Sequence, residues 1–373
     1  MNGQQKPKMS LCMIVKNEEQ FLPLCLDSVK SFIDEIIIVD TGSTDRTIQI
    51  AEQYGAIISE VPWEDDFSKA RNMALEHATG DWILHLDADE QIEKQDIQQL
   101  LTIISSTQEE AFLLQVINHK DETPGDALIF PSVRLWRNRK EYRFRGALHE
   151  QISPSITNKN PSKPLVIIPI RIHHYGYSDK IVQEKKKSDR NLKIALAEVE
   201  RYPKSSFAHF NLGTEFSRLK QHDQAIKEFR LSLDQLTGKH ELWVPSLFRN
   251  LAGALVASGK NQEAIEILDK GLSSFPDFID LLYWKAVCHY QLKEYPRAIG
   301  LFHQCLVTRE NPQYAYQKGL NGEKSHFLLG HCYILLNRLD EGLYHYKKAY
   351  ELNKLFKEPM KQLAAIYSKL ASQ

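Results

Sequence analysis

Long apolar runs are missing from this chain of 373 residues. None approaches the ~20 residues needed to cross a bilayer, so no integral membrane segment is expected. Near the start, Lys6 and Lys8 precede an apolar stretch that is cut off at Lys16, too short for a secretory signal core. Cysteine is scarce and scattered. Cys12, Cys25, Cys288, Cys305 and Cys332 form no CxxC pair, and their odd number fits reduced thiols better than a disulfide framework or a zinc knuckle. A cytoplasmic location follows as the expectation. Charge of one sign is lacking too: 47 Lys+Arg stand against 48 Asp+Glu, a net charge of −1. Nothing in that balance favours wrapping a nucleic-acid backbone or coating an anionic membrane, so no nucleic-acid partner is expected. No G-x-G-x-x-G follows the first apolar run and no G-x-x-x-x-G-K-[ST] occurs, which disfavours dinucleotide dehydrogenases and P-loop NTPases. The run His149-Glu150-Gln151-Ile152-Ser153 lacks the second histidine of a zinc-protease helix.

What the chain does have is a recurrent juxtaposition of apolar strand and polar end. Leu11 to Val15 runs into Lys16-Asn17-Glu18, Glu35 to Val39 into Asp40-Thr41-Gly42-Ser43-Thr44-Asp45, and Ile83 to Leu86 into Asp87-Ala88-Asp89. Short β-rich runs (11–15, 35–39, 56–60, 82–86) alternate with helical patterns (20–31, 44–54, 67–78), which is βαβ order. Parallel strands of that kind deliver all their polar ends to one sheet edge, where open α/β folds form a ligand crevice. Ser43-Thr44-Asp45 offers capping oxygens to one helix, and Gly80 is read as the end of another. Extended runs at 111–118, 132–136 and 165–172 should complete the sheet. The Pro161 to Pro169 stretch is read as an edge strand or its approach.

Beyond about residue 183 the period becomes helical. Small residues recur in pairs twelve apart: Gly213 and Ala225, Ala252 and Ala264, Ala286 and Ala298, Gly330 and Gly342. The second members are separated by steps of 39, 34 and 44 residues, near the 34-residue period of tetratricopeptide hairpins with insertions. Aromatics such as Phe229, Tyr290 and Tyr346 read as solenoid core, since stacked repeats must bury such a face. The last helix, 357–372, reads as a cap. The expected architecture is therefore an α/β domain over 1–178 and an all-α helical repeat domain over 183–373.

Two carboxylates one residue apart, Asp87 and Asp89, can hold a hard cation while leaving positions open for diphosphate oxygens, as Mg2+ and Mn2+ prefer. The plainer alternative is that they cap the helix that follows. Asp40 can accept from a base or a ribose. Thr41, Gly42 and Ser43 allow close backbone approach to an anion near a helix N-terminus, unless they form an ordinary capped turn. Lys69 and Arg71 could neutralise a phosphate, or could be a solvated helix face.

Taken together, Met13-Ile14-Val15-Lys16-Asn17-Glu18-Glu19, Ile38 to Asp45, Asp66-Phe67-Ser68-x-Ala70-Arg71-Asn72 and Leu86-Asp87-Ala88-Asp89 resemble the family 2 glycosyltransferases of GT-A (Rossmann-like) fold, with several separated motifs in the right order over residues 9 to about 178. With helical repeats behind it, the layout is similar to bacterial enzymes that join this domain to tetratricopeptide repeats, including peptide S-glycosyltransferases of the sublancin type. The catalytic half also resembles lipopolysaccharide-core glucosyltransferases. The resemblance implies a nucleotide-sugar donor, UDP-linked, and a divalent cation, Mn2+ or Mg2+. It implies that Val15, Asn17 and Glu18 line the base and ribose pocket and that Asp40 contacts the base. Gly42, Ser43 and Asp45 form the adjoining turn, and Arg71 with Lys69 faces the diphosphate. Asp87 contacts ribose or metal, and Asp89 the metal. His174, within Ile172-His173-His174-Tyr175-Gly176-Tyr177, would be a third metal ligand or a diphosphate contact. Adjacent strand residues face opposite sides, so only one of His173 and His174 reaches the site.

Inverting transfer needs a carboxylate that takes the acceptor proton, and Glu150 in Arg145-Gly146-Ala147-Leu148-His149-Glu150 is the candidate, with His149 the competitor. Helical repeats favour a peptide or protein acceptor, and a homodimer through the same repeats is compatible with them. A cell-surface or lipid-linked glycan acceptor, or an inactive tetratricopeptide scaffold, are the alternatives. No residue distinguishes glucose from galactose or N-acetylglucosamine.

Overall fold

The computed structural model describes residues 7–119, 126–175, 180–238 and 241–372, the side chains of 180–188 excepted; Lys6, Gly176 and Tyr177 lie outside. The chain forms two compact units, Met1–Asn118 with Phe130–Glu198, and His119–Ile129 with Val199–Gln373. The sequence places the change at 178 to 183, whereas by compactness the first unit runs on to Glu198 and the segment 119–129 goes with the helices.

The first unit runs β1 (Met9–Val15), α1 (Leu22–Val29), β2 (Glu35–Asp40), α2 (Thr47–Gln53), β3 (Ile57–Glu60), α3 (Phe67–His77), β4 (Trp82–His85), β5 (Glu90–Ile92), α4 (Ile97–Ser106), β6 (Ala111–His119), β7 (Ala127–Arg137), α5 (Ser153–Lys159), β8 (Val166–His174) and α6 (Lys180–Arg201). Its sheet has the order β3-β2-β1-β4-β7-β6-β8-β5. β3, β2, β1 and β4 are mutually parallel, with Val15 level with Asp40 and Cys12 level with His85. The expected common edge therefore exists: the ends of β1, β2 and β4 emerge together. Alternation along β1 assigns the two faces. Met9, Leu11, Met13 and Val15 enter a core with Leu22, Leu26, Leu100 and Ile104 of α1 and α4. Cys12, on the other face, lies against the Ala74 carbonyl of α3.

Of the two readings of the Pro161 to Pro169 stretch, an edge or the approach to the last strand of the first unit, residues 161–165 are the approach, and β8 itself is not an edge strand, because it lies between β6 and β5. Pro169 is tolerated there because the β6 pairing shifts register between Leu113 and Gln115 and because β5 reaches only Ile172 to His174, so no ladder bond is asked of the proline. Nor does Gly80 cap α3, whose C-cap is Ala78. Gly80 is needed for close approach: a Cβ there would meet Ser10 Oγ at 2.6 Å and Ser10 N at 2.9 Å.

The second unit stacks α7 (Ser206–Arg218), α8 (His222–Asp234), α9 (Val244–Ala257), α10 (Asn261–Ser274), α11 (Ile279–Gln291), α12 (Tyr295–Val307), the short β9 (Tyr316–Gln317), α13 (Glu323–Leu335), α14 (Leu339–Leu352) and α15 (Glu358–Ala371). The small-residue pairs fall where helices of a hairpin touch. A Cβ on Gly213 would strike the Phe229 ring, and one on Gly330 the Tyr346 ring, at 2.7 and 2.6 Å. Ala225, Ala252, Ala264, Ala286 and Ala298 are buried. The longest step, 44 residues, is filled by the loop that carries β9. Leu128 and Ile129 pair with β9, and Asp126 accepts from Lys324 Nζ at 2.7 Å and from Gln317 Nε2. α15 buries Pro359 and Leu363 but leaves Met360, Tyr367 and Leu370 exposed, an apolar outer face that a simple cap lacks.

Candidate active site

Two loops at the parallel edge are sewn together. Asn17, in the left-handed region at φ +57°, accepts from Thr44 N at 2.7 Å, and its own N–H donates to Ser43 Oγ at 2.9 Å. Glu18 N donates to Thr47 Oγ1 at 2.7 Å and Glu19 N to Asp45 Oδ2 at 3.2 Å. Asp45 also accepts from Thr47 N at 2.9 Å, satisfying a donor of the first turn of α2. Gly42, at φ +103°, and Ser43 both donate their N–H groups to Asp40 Oδ1 at 2.8 Å. Those two amides are thus engaged within the turn instead of facing an anion. Asp40 is 1% exposed, and its Oδ2 is buried with no partner among the described residues. A buried carboxylate oxygen without a donor is expensive, so a ligand donor is the natural complement. Val15, buried beside it, ends β1.

Arg71 is at the centre of the second cluster. Asp66 caps α3 by accepting from Lys69 N, worth about 1 kcal/mol. One turn on, the nearly buried Arg71 guanidinium meets Glu150 through Nε, Asp87 through Nη1 at 3.0 Å, and the His85 ring. Lys69 instead pairs with Glu64 at 2.8 Å, both exposed. Burial works to raise the Asp87 pKa, but Arg71 and Arg134 hold it well below the usual carboxylate range. Burial, then Arg71 and Arg134, push His85 well below its ordinary value, leaving a neutral imidazole that accepts from Arg71.

Glu90, 2% exposed, accepts from Asp87 N at 2.9 Å and from Arg134 at 2.6 Å. Burial pushes its pKa up to about 7 against the pull of Arg134. Asp89 and His174 share a 3.0 Å contact, and Asp89, Glu90 and Asp87 outweigh burial to raise the His174 pKa. His173 turns toward Glu93 at 3.3 Å, as alternation requires. On α1, the Cys25 thiol is raised by burial and by the carboxylates of Glu90, Asp87, Asp89 and Glu18, which places those acids in one neighbourhood.

The donor set for a cation is narrow. Among the described residues no group of three or more His, Cys, Asp or Glu side chains is gathered to hold a metal. Asp89 and His174 supply one carboxylate and one imidazole, while Asp87 faces Arg71 and Arg134 at 3.0 and 3.7 Å. Two protein donors fit Mg2+ or Mn2+ when substrate phosphates and water complete the shell. His149, at φ +53°, precedes Glu150 in the loop closed by the Arg145–Gln151 bridge. Sequence reading missed His85, Glu90 and Arg134. A signal was present for two of them, His85 and Glu90, which are polar residues on or beside a buried strand and next to the Asp87-x-Asp89 motif; Arg134, on β7, had none.

Residues 10–158 match the glycosyl transferase family 2 model, and residues 257–349 match a model described as anaphase-promoting complex, cyclosome, subunit 3. A TPR repeat-containing protein of Synechococcus elongatus is 37% identical over 217 residues, 57% of this chain and 53% of that protein. The prophage-derived glycosyltransferase SunS of Bacillus subtilis is 29% identical over 231 residues, 61% of this chain and 54% of SunS. The chain spans about half the length of these curated relatives. Among solved structures, S. aureus TarS 1-349 in complex with UDP-GlcNAc is similar at 16% identity, covering 72% of this chain and 91% of that one, with a TM-score of 0.40. The chain thus joins a family 2 glycosyltransferase domain of α/β GT-A type to an all-α domain of tetratricopeptide-type repeats.

Proposed function

We propose that the chain is an inverting glycosyltransferase that moves a sugar from a UDP-linked donor to a peptide or protein acceptor with the help of a divalent cation. One observation carries this reading: a buried guanidinium, Arg71, stands between a strand-end carboxylate, Asp87, and a loop carboxylate, Glu150. Such a cation suits a leaving diphosphate, and such a loop acid suits the acceptor.

In this reading Asp40 receives the base, with Val15, Asn17 and Glu18 shaping the pocket, and Arg71 meets the diphosphate. The acceptor hydroxyl or thiol attacks the anomeric carbon from the face opposite the diphosphate, and its proton passes to Glu150. The bond from that carbon to the phosphate oxygen breaks, and UDP leaves with the electron pair. Asp89 and His174 would hold Mg2+ or Mn2+, which when bound offsets diphosphate charge. His85, neutral and fixed, orients Arg71.

The acceptor class is supported by a groove of about 580 Å3 in the second unit, lined by Arg218, Arg249, Asp280, Trp284 and Lys324 among others. Its mix of charged and aromatic groups suits a polypeptide. No helix among the described residues is long and apolar enough to cross a membrane, and all five cysteines are free and buried, which fits a reducing cytoplasm.

The test is donor turnover: a panel of UDP-sugars with Mn2+ and candidate peptides, read by released UDP and by peptide mass. Turnover lost in Asp89→Ala supports the reading. Absence of UDP binding and release with every donor overturns it.

A further inference from the structure

We propose that Glu198, on α6 and beyond the matched residues 10–158, is the positioning residue for Glu150; this rests on the transfer reading above. The loop from Arg145 to Gln151 holds two residues in the left-handed region, Gly146 at φ +96° and His149 at φ +53°. A non-glycine residue held there costs on the order of 1–3 kcal/mol and persists only when its surroundings enforce it. Beside the Arg145–Gln151 bridge, part of the enforcement comes through Ala147. Its carbonyl accepts from Phe67 N at the start of α3, at 3.0 Å. Its N–H donates to Glu198 Oε1 at 3.2 Å. The same oxygen would lie 3.6 Å from a Cβ on Gly146, so the carboxylate sits directly against the loop.

α6 also touches the start of α3 and the loop before it. Lys193 pairs with Asp65 at 2.7 Å, and the Arg190 guanidinium lies over the Phe67 and Trp63 rings at 5.0 and 5.8 Å. Ala147 is therefore gripped between two helices, three residues before the carboxylate that meets Arg71. The second Glu198 oxygen, Oε2, is buried and has no partner among the described residues. Burial raises the Glu198 pKa, the Ala147 N–H opposes it, and Asp66 and Glu150 add to the rise. An acid kept in such surroundings for packing alone would be replaced at little loss by an apolar residue. Its reach to Ala147 N gives it a use.

The test compares E198A, E198D and E198Q with the wild-type full chain. E198D keeps the acid but draws it back by one methylene, whereas E198Q keeps the reach and a carbonyl oxygen that accepts from Ala147 N. Displacing a reacting group by about 1 Å lowers turnover about a hundredfold, so E198A and E198D should lose about that factor in kcat while UDP affinity stays within about twofold. E198Q should retain kcat to within about threefold.

E198D with wild-type kcat overturns the proposal, as does E198Q no better than E198A. So does a parallel fall of UDP affinity and melting temperature with kcat, which marks a merely structural role. If E198A does not fold, the contrast between E198D and E198Q still decides. A wild type that releases no UDP overturns this inference together with the functional reading, whereas an active wild type with an unaffected E198D overturns this one alone.

Discussion

The two units are most sensitive at different kinds of contact, a charge network in the first and helix crossings in the second. In the first, charges are buried among charges: Arg71, Asp87, Glu90, Arg134 and Glu150 occupy a few neighbouring positions. In the second, Gly213 and Gly330 meet the Phe229 and Tyr346 rings at hairpin crossings, where order comes from shape. The difference teaches where each unit is fragile. A charge network fails when one member is removed, because its partners are left uncompensated. A stacked solenoid fails when volume is added, because its neighbours have nowhere to go.

The largest effect should follow Arg71→Ala. It strands Glu150 and leaves Asp87 with Arg134 alone, so transfer should vanish and stability should fall by about 3–5 kcal/mol, measured by UDP release and urea unfolding. A loss below about 1 kcal/mol would show that the network is solvated. Next, Gly330→Val drives methyls into the Tyr346 ring and should destabilise the repeats by about 1–3 kcal/mol, seen as faster hydrogen exchange in α13 and α14, with UDP affinity unchanged. Loss of UDP binding in that variant would erase the contrast between the units. Asp40→Asn keeps an acceptor for the Gly42 and Ser43 amides but turns the unpartnered position into a donor. UDP affinity should weaken about tenfold, roughly 1.4 kcal/mol, with no change in melting temperature, as titration calorimetry would read.

The smallest effect is titrational. His326 and His345 approach through Nδ1 at 2.8 Å, with His303 and Tyr333 beside them. Burial, then His326 and His303, lowers the His345 pKa from 6.5 to about 4, with Glu341 opposing. The unfolded chain then binds the extra proton, so this contribution to stability is whole above 6.5 and is lost as pH falls toward 4. Glu90 has the other sign: raised to about 7, it stabilises below its ordinary 4.5, an effect lost as pH rises through 7. Exchange in α13 and α14 should therefore quicken on acidification from 6.5 to 4, while β4 and β5 gain protection. The same trend in both units would refute the opposed signs.

Much of this was legible in the sequence, and for physical reasons. Short apolar runs alternating with helical patterns located the strands and helices of the parallel half, because strands covered on both faces are apolar throughout. The twelve-residue spacing located the hairpins, because only small residues fit at the crossing. Pairings across long separations were not legible. β5 is three residues long and exists only because β8 lies beside it. Glu90 and Arg134 are 44 residues apart and acquire meaning only when β5 and β7 take their places in the sheet. Gly80 reads as a helix stop in one dimension and as a tight crossing over Ser10 in three. Motifs named Arg71 and Glu150 separately, but nothing in one dimension joins them.

The start of β7, Asp126 to Ile129, has its partners at residues 316 to 324, so its ladder to β9 closes a loop of nearly two hundred residues. On a ribosome adding about 5–20 residues per second, this segment waits roughly ten to forty seconds for that partner to be made. During that interval the side of Leu128 and Ile129 that pairs with β9 is open, an adhesive edge in a nascent chain. Chaperone occupancy at that point of synthesis, and the aggregation of fragments stopped short of residue 316, are where this delay would become visible.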